Sequence, residues 1–398
     1  MRRFAVLSRR QALQLATVAL ATGVPTLLRG AQESFAVRQI TTEEYDQSNI
    51  YCETPYCSRD SRWFIYARSN PRLRLNRTEL MAVELGSWKQ EPLDVTTGLG
   101  GLAISPDGIL YYLKRNGQGE LELMRTDLVD GKPQVVYRRR DEPWIRSLGT
   151  VSFDGRYYAG GIVLSQTWDN FGIVVVDLKE GREFVVDQDP FILNPHPQFD
   201  PGPRHQLMVQ HNRGGKFSPD GKLERLVGDE GATLYVVSVP DGRRTTLPIG
   251  KPYTTPCTGH EAWISATGEM LFSVSWSGDF SPEKGNLLGI RPGGKARVVA
   301  RGFRFNHVGT SRCGRLFSAD DWQPPYKIII GNTQNGATAI VCESQSKPDS
   351  RQSTHPHPYL TPDLKWVIFN SSRTGFPHVY AAPVPEATVA QLLDNVPT

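Results

Sequence analysis

Ser105-Pro106-Asp107-Gly108-Ile109-Leu110-Tyr111 is a polar turn that runs straight into an apolar strand. Pro-Asp-Gly favours a tight reversal, and Ile-Leu-Tyr favours extended backbone. The same pattern recurs on both sides. It stands at Ser58-Arg59-Asp60-Ser61-Arg62-Trp63-Phe64-Ile65-Tyr66 and at Phe153-Asp154-Gly155-Arg156-Tyr157-Tyr158. Asp200-Pro201-Gly202 leads into Leu207-Met208-Val209, and Ala266-Thr267-Gly268-Glu269 leads into Met270-Leu271-Phe272. Cys313-Gly314-Arg315-Leu316-Phe317 and Thr361-Pro362-Asp363-Leu364-Lys365-Trp366-Val367-Ile368-Phe369 complete the series. The spacing is about 47 residues with one longer step, the period of four-stranded propeller blades. The expected fold is therefore all-β: a seven-bladed β-propeller spanning residues 37–398, each turn joining the innermost strand of a blade to its second.

The last blade runs out of chain after Val379-Tyr380-Ala381-Ala382-Pro383, so its fourth strand is expected from Ala36-Val37-Arg38-Gln39-Ile40. That pairing would cover two sheet edges. The longer step lies between Arg213 and Thr233 and reads as a loop insertion at the mouth of the fourth blade. Thirty-seven glycines and 29 prolines in 398 residues fit many short strands joined by turns. A formal net charge of +4 with no long basic tract gives nucleic-acid binding little support.

Residues 1–36 read as a cleaved export signal. Ser8-Arg9-Arg10 opens a twin-arginine-like motif, and the apolar stretch from Ala12 to Leu28 falls short of a spanning helix. The expected location is periplasmic or secreted, with no membrane anchor after cleavage. In an exported protein Cys52 and Cys57 are close enough to bridge a short loop, while Cys257, Cys313 and Cys342 read as buried small hydrophobes.

The histidines keep register with the turns. His196, His260, His307 and His357 lie five to seven residues before the turns of blades four to seven. That position is the start of the innermost strand, which lines the central channel. In Gln352-Ser353-Thr354-His355-Pro356-His357-Pro358 the two histidines share a strand face. Gln352 has the wrong parity and joins them only if a turn intervenes. Imidazoles with an amide oxygen suit a first-row divalent metal. The second strands end on the same rim, where His211, Arg213, Trp322 and Arg373 stand. The arginines suit carboxylates, and the tryptophan suits a sugar ring.

The Gln352-x-x-His355-x-His357-Pro358 segment, with His307 and Gly259-His260-Glu261-x-Trp263 upstream, resembles the oligogalacturonate lyase family over essentially the whole chain after the signal. The resemblance implies a seven-bladed propeller in which His307, Gln352, His355 and His357 hold manganese. It implies His260 as catalytic base, standing near the ion but outside ligand distance, with Glu261 and Trp263 orienting it. It implies an acidic oligosaccharide as substrate, for which Arg213, His211, His196, Arg373 and Trp322 are the candidate contacts by their place at the rim. The chain departs from the family at His211-Asn212-Arg213-Gly214, where the family reads His-Glu-Gly-Pro. It also has Ala232-Thr233 where the family carries an arginine, and Arg213 is the candidate substitute.

The chemistry expected is β-elimination. A base removes the proton on carbon 5 of a uronate, and the glycosidic oxygen leaves carbon 4. The alternatives are a non-catalytic propeller that binds glycan or protein, and a metal-dependent hydrolase. The hydrolase needs paired carboxylates, whereas Asp320 and Asp321 would point apart on a strand.

Overall fold

A computed structural model of the protein describes residues 36–73, 77–129, 131–140 and 147–394. Apart from Ala36, the expected export signal lies outside the described residues.

The repeated turn–strand units fold as four-stranded antiparallel sheets. The first contains Gln47–Ser48, Trp63–Arg68, Thr78–Glu84 and Gln90–Thr96. The second runs from Ala103–Ile104 to Gln134–Arg140, and the third from Thr150–Val151 to Arg182–Asp189. The fourth has Gln198–Phe199, Gln206–Asn212, Ala232–Ser238 and Arg244–Thr246. It touches the fifth, Cys257–Trp263 to Arg297–Ala300, through a single ladder pair, Ala232 with Cys257. The sixth runs from Phe305–Thr310 to Thr338–Glu343. The last holds Tyr359–Leu360, Trp366–Ser371 and His378–Pro383, and Arg38–Gln39 adds its outer strand by pairing with Ala381 and Tyr380. The expected source of that strand is therefore the one observed.

Period-two alternation explains the core. Leu207 and Val209 of one strand pack with Tyr157, Phe171 and Ile173 of the third sheet. Met208 between them points the other way, to Trp263, Met270 and Phe272 of the fifth. Both faces of a strand are therefore apolar, and each sheet is clamped by two neighbours. The first sheet shares its core with Tyr359, Ile368 and Val379 of the last. A fully buried aliphatic or aromatic side chain contributes about 1.5–3 kcal/mol, so these layers, repeated between sheets, carry the fold.

The insertion is a short hairpin, Lys216–Phe217 with Leu223–Arg225. A helix at Glu386–Asp394, not anticipated from the sequence, docks Leu392 against the outer strands of the sixth sheet; Asn332 donates to its carbonyl. Among the described residues no helix is long and apolar enough to cross a membrane.

The cysteine reading needs correction. All five thiols are free. Cys57 is fixed by a backbone bridge to Phe64, and the Cys52 carbonyl lies against Gly309 of the sixth sheet, so the two residues are held by different neighbours. Cys257 is buried as expected, but Cys342 is half-buried and Cys313 is exposed on its turn.

Candidate metal centre and binding cavity

The innermost strands deliver the histidines to one cavity of about 500 Å³, whose walls include His196, His260, His307, His355 and Gln352. Two devices aim them. His260 and His307 lie where the ladder slips, between Cys257 and Glu261 and between Phe305 and Val308. An extra residue at such a slip turns side chains away from the regular alternation. His196 and His357 each precede a proline, and both have left-handed backbone at φ 42°. That conformation costs on the order of 1–3 kcal/mol for a residue with a side chain and gathers at functional sites. Gln352–Thr354 is a single 3₁₀ turn, the intervening bend that Gln352 requires to share a cavity with His355.

The ring centroids of His307 lie 4.3 Å from His357, 5.2 Å from His355 and 4.2 Å from His260. Hydrogen bonds fix which nitrogens face inward. His307 Nδ1 donates to Asp320 Oδ2 at 2.7 Å, which leaves Nε2 as the lone-pair nitrogen, with the Asn306 amide nitrogen 3.4 Å away. His355 Nε2 donates to the Asp349 carbonyl at 2.8 Å, which leaves Nδ1 bare. Those two lone-pair nitrogens face each other at 3.3 Å. Two lone pairs at that distance repel unless a proton or a cation lies between them. His357 Nε2 is buried with no hydrogen-bond partner. Burial, and then the neighbouring imidazoles, hold His260 and His357 well below the ordinary histidine range; His307 is held down by burial and by His355. Neutral imidazoles with converging lone pairs are what a divalent metal requires.

Asp320 is the partner that orients His307. It accepts from both the backbone N–H, at 2.9 Å, and the ring, and burial pushes its carboxyl up to about 7. Asp321 turns away to the Arg304 backbone, so the two carboxylates do point apart. Removing such an orienting carboxylate weakens metal binding by about 10–100-fold. Asp320→Asn is expected to show a loss of that size when the metal-stripped protein is titrated with Mn²⁺. Unchanged affinity would remove Asp320 from the role.

His260 does not stand apart from the other imidazoles. Its ligand nitrogen and those of His307 and His357 all lie within 4.8 Å of one another. Glu261 and Trp263 do not orient it either. The Glu261 carboxylate meets the Cys257 thiol, and Trp263 Nε1 donates to the Gln198 carbonyl. The contact His260 does make is from Nδ1 to Thr258 Oγ1, at 3.2 Å.

Three of the expected substrate contacts are engaged elsewhere. Arg213 donates to the carbonyls of Gly231, Lys251 and Glu230, so its fork ties loops together. His211 bonds Asp189 at 2.9 Å, because Gln210 and Asn212, one position to either side, are the residues that face the cavity. Arg373 lies over Tyr380 and donates to the Glu343 carbonyl. His196 does line the cavity, and Trp322 packs against His307 and His355 at 5.1 and 5.0 Å.

Residues that the repeat pattern did not single out complete the site. Tyr51 packs against His357 at 4.5 Å and His196 at 5.8 Å. Glu53 bonds His196 Nδ1 at 3.1 Å. Both belong to the irregular stretch between Ser48 and Cys57, which carries no periodic signal. Asp320 was findable, since it sits opposite His307 across the turn of the sixth sheet.

No family model matches the chain. It is 24% identical over 328 residues to the oligogalacturonide lyase of Pectobacterium atrosepticum, covering 72% of this chain and 78% of that one. It is similar to the oligogalacturonate lyases. The enzyme of that name from Dickeya dadantii is 24% identical over 345 residues, 75% of this chain and 81% of its own. A solved oligogalacturonate lyase in complex with manganese superposes with a TM-score of 0.70 at 19% identity, over 92% of this chain and 97% of that one. That likeness shows a shared fold.

Proposed function

We propose that the protein is a metal-dependent lyase that cleaves oligogalacturonide, or a related uronate oligosaccharide, by β-elimination. The seven sheets are read as blades of a closed propeller with Arg38–Gln39 completing the last. The observation that carries the proposal is the pair of lone-pair nitrogens facing each other on His307 and His355, with the partnerless Nε2 of His357 beside them. Those three residues and the Gln352 amide oxygen would hold the ion, and manganese, present in the solved relative, is the proposed metal. A bound divalent cation supplies Lewis-acid stabilisation of the charge that grows on the uronate carboxylate.

The protein's own groups do the rest. His260 Nε2 takes the proton from carbon 5 while its Nδ1–H is held by Thr258. Burial keeps that imidazole in its neutral, proton-accepting form. Tyr51 and Trp322 pack against the imidazoles and limit the water that reaches them. Among the described residues lining the cavity none is an arginine or lysine. Charge complementarity to an acidic substrate therefore falls on the cation, and Trp322 remains the candidate sugar contact, both ring nitrogens of His196 being engaged by Asn194 and Glu53. Export of the folded protein through the Ser8-Arg9-Arg10 signal is part of the same reading.

Incubation with oligogalacturonide is expected to give an unsaturated product seen by its ultraviolet absorbance. Substrate binding without that absorbance, in manganese-loaded protein, would favour a non-catalytic glycan-binding propeller instead.

A further inference from the structure

A second group of ligand-type atoms lies against the first. Glu53, His196 and Glu261 each present one such atom, all within 4.8 Å of one another. The three come from distant parts of the chain. Glu53 lies between the first two strands of the first sheet, His196 precedes the inner strand of the fourth sheet, and Glu261 is on the inner strand of the fifth. Glu53 is 8% and Glu261 0% exposed. Tyr51 touches both groups, packing on His357 and on His196. Glu53 also borders a second cavity, of about 270 Å³, near the turn ends of the inner strands.

We propose that Glu53, His196 and Glu261 form a second divalent-cation site, separate from the histidine centre and tying the first, fourth and fifth sheets together. Two observations support it. Glu261 Oε1 is fully buried with no hydrogen-bond partner, and its other oxygen meets nothing better than the Cys257 thiol at 3.6 Å. A buried oxygen of this kind costs free energy unless something positive faces it. Glu53 Oε1 and His196 Nδ1 lie 3.1 Å apart, about the separation of two donors that each sit roughly 2.1 Å from one ion at a right angle. Asn194 lies 3.0 Å from His196 Nε2. That contact is made by the amide nitrogen; an ion on Nδ1 would require the amide to turn over, so that its oxygen accepts the Nε2 proton in the outer-sphere arrangement that metal-bound imidazoles use.

One nitrogen and two carboxylate donors suit a first-row ion of the manganese-to-zinc class better than calcium or magnesium, which favour all-oxygen shells. The ion here would act as a clip across the centre of the fold, and binding to the folded state alone would raise its unfolding temperature.

The test is metal stoichiometry. Full-length protein stripped with chelator is titrated with Mn²⁺ and ions per chain are counted by elemental analysis and electron paramagnetic resonance. Wild type is expected to bind two. Glu261→Gln and Glu53→Gln, close in shape to the originals, are expected to bind one and to lose part of the Mn²⁺-dependent rise in unfolding temperature. His357→Gln is expected to bind one as well, now at the carboxylate site. One ion in wild type, with Glu261→Gln still binding one, would overturn the second site and leave the lyase reading intact. Two ions in His357→Gln would count against the histidine centre and not against this one. If neither carboxylate variant folds, the wild-type count decides: two supports the site and one overturns it.

Discussion

His260→Ala is expected to lower turnover of oligogalacturonide by about 10²–10⁴-fold, the usual contribution of a positioned general base, with metal content unchanged. The second half of that statement makes the experiment decisive. His260 lies close enough to His307 and His357 to serve as a ligand, and a ligand role predicts loss of the ion along with activity. Retained turnover would remove His260 from the reaction altogether. The pH profile gives an independent readout. The base works in its neutral form, and burial with the surrounding imidazoles sets its pKa well below 6.5. Activity should therefore persist at and above pH 6.5 and fall only as the pH drops through that lowered value. An acid limb at or above 6.5 would mean a different, more exposed group takes the proton.

Chelation is expected to have a comparable effect. Loss of Lewis-acid stabilisation costs several kcal/mol of barrier, which is roughly 10³-fold or more in rate. Mn²⁺ should restore the stripped wild type but not His357→Gln, whose buried Nε2 has no other partner in the structure. Turnover by stripped protein with no detectable metal would sink the mechanism. The Asp320→Asn titration then separates ligand from orienting group, since the variant should recover at high Mn²⁺ and the His357 variant should not.

The strands and the histidine register were legible because both are periodic. Turn-to-turn spacing marks the sheets, and counting back from each turn finds His196, His260, His307 and His357 on one rim. Side-chain direction was less legible. His211 belongs to a regular strand, so its neighbours Gln210 and Asn212 face the cavity and it does not. Glu261 follows a ladder slip that sends it to Glu53 and His196 and not to His260. Arg213 and Arg373 are charged residues near the rim, but backbone carbonyls that need donors take up their guanidinium groups. Tyr51 and Glu53 were invisible to counting because they lie in an aperiodic stretch held by tertiary contacts alone. Cys52 and Cys57 illustrate the same limit: proximity in sequence did not mean a shared environment.

The strand that Arg38–Gln39 adds to the last sheet sets a timetable for biosynthesis. Val379 donates its N–H to Thr41 Oγ1 across 338 positions, so the closing strand leaves the ribosome long before its partner does. At about 5–20 residues per second the leading strand waits on the order of tens of seconds, with its edge unsatisfied. Over that interval the nascent chain presents an open template for pairing with other copies, a hazard that ends only with the final hairpin. Slowing translation should therefore lower soluble yield, and supplying the closing strand late, by moving Val37 to Thr41 alone to follow the last hairpin, should relieve it.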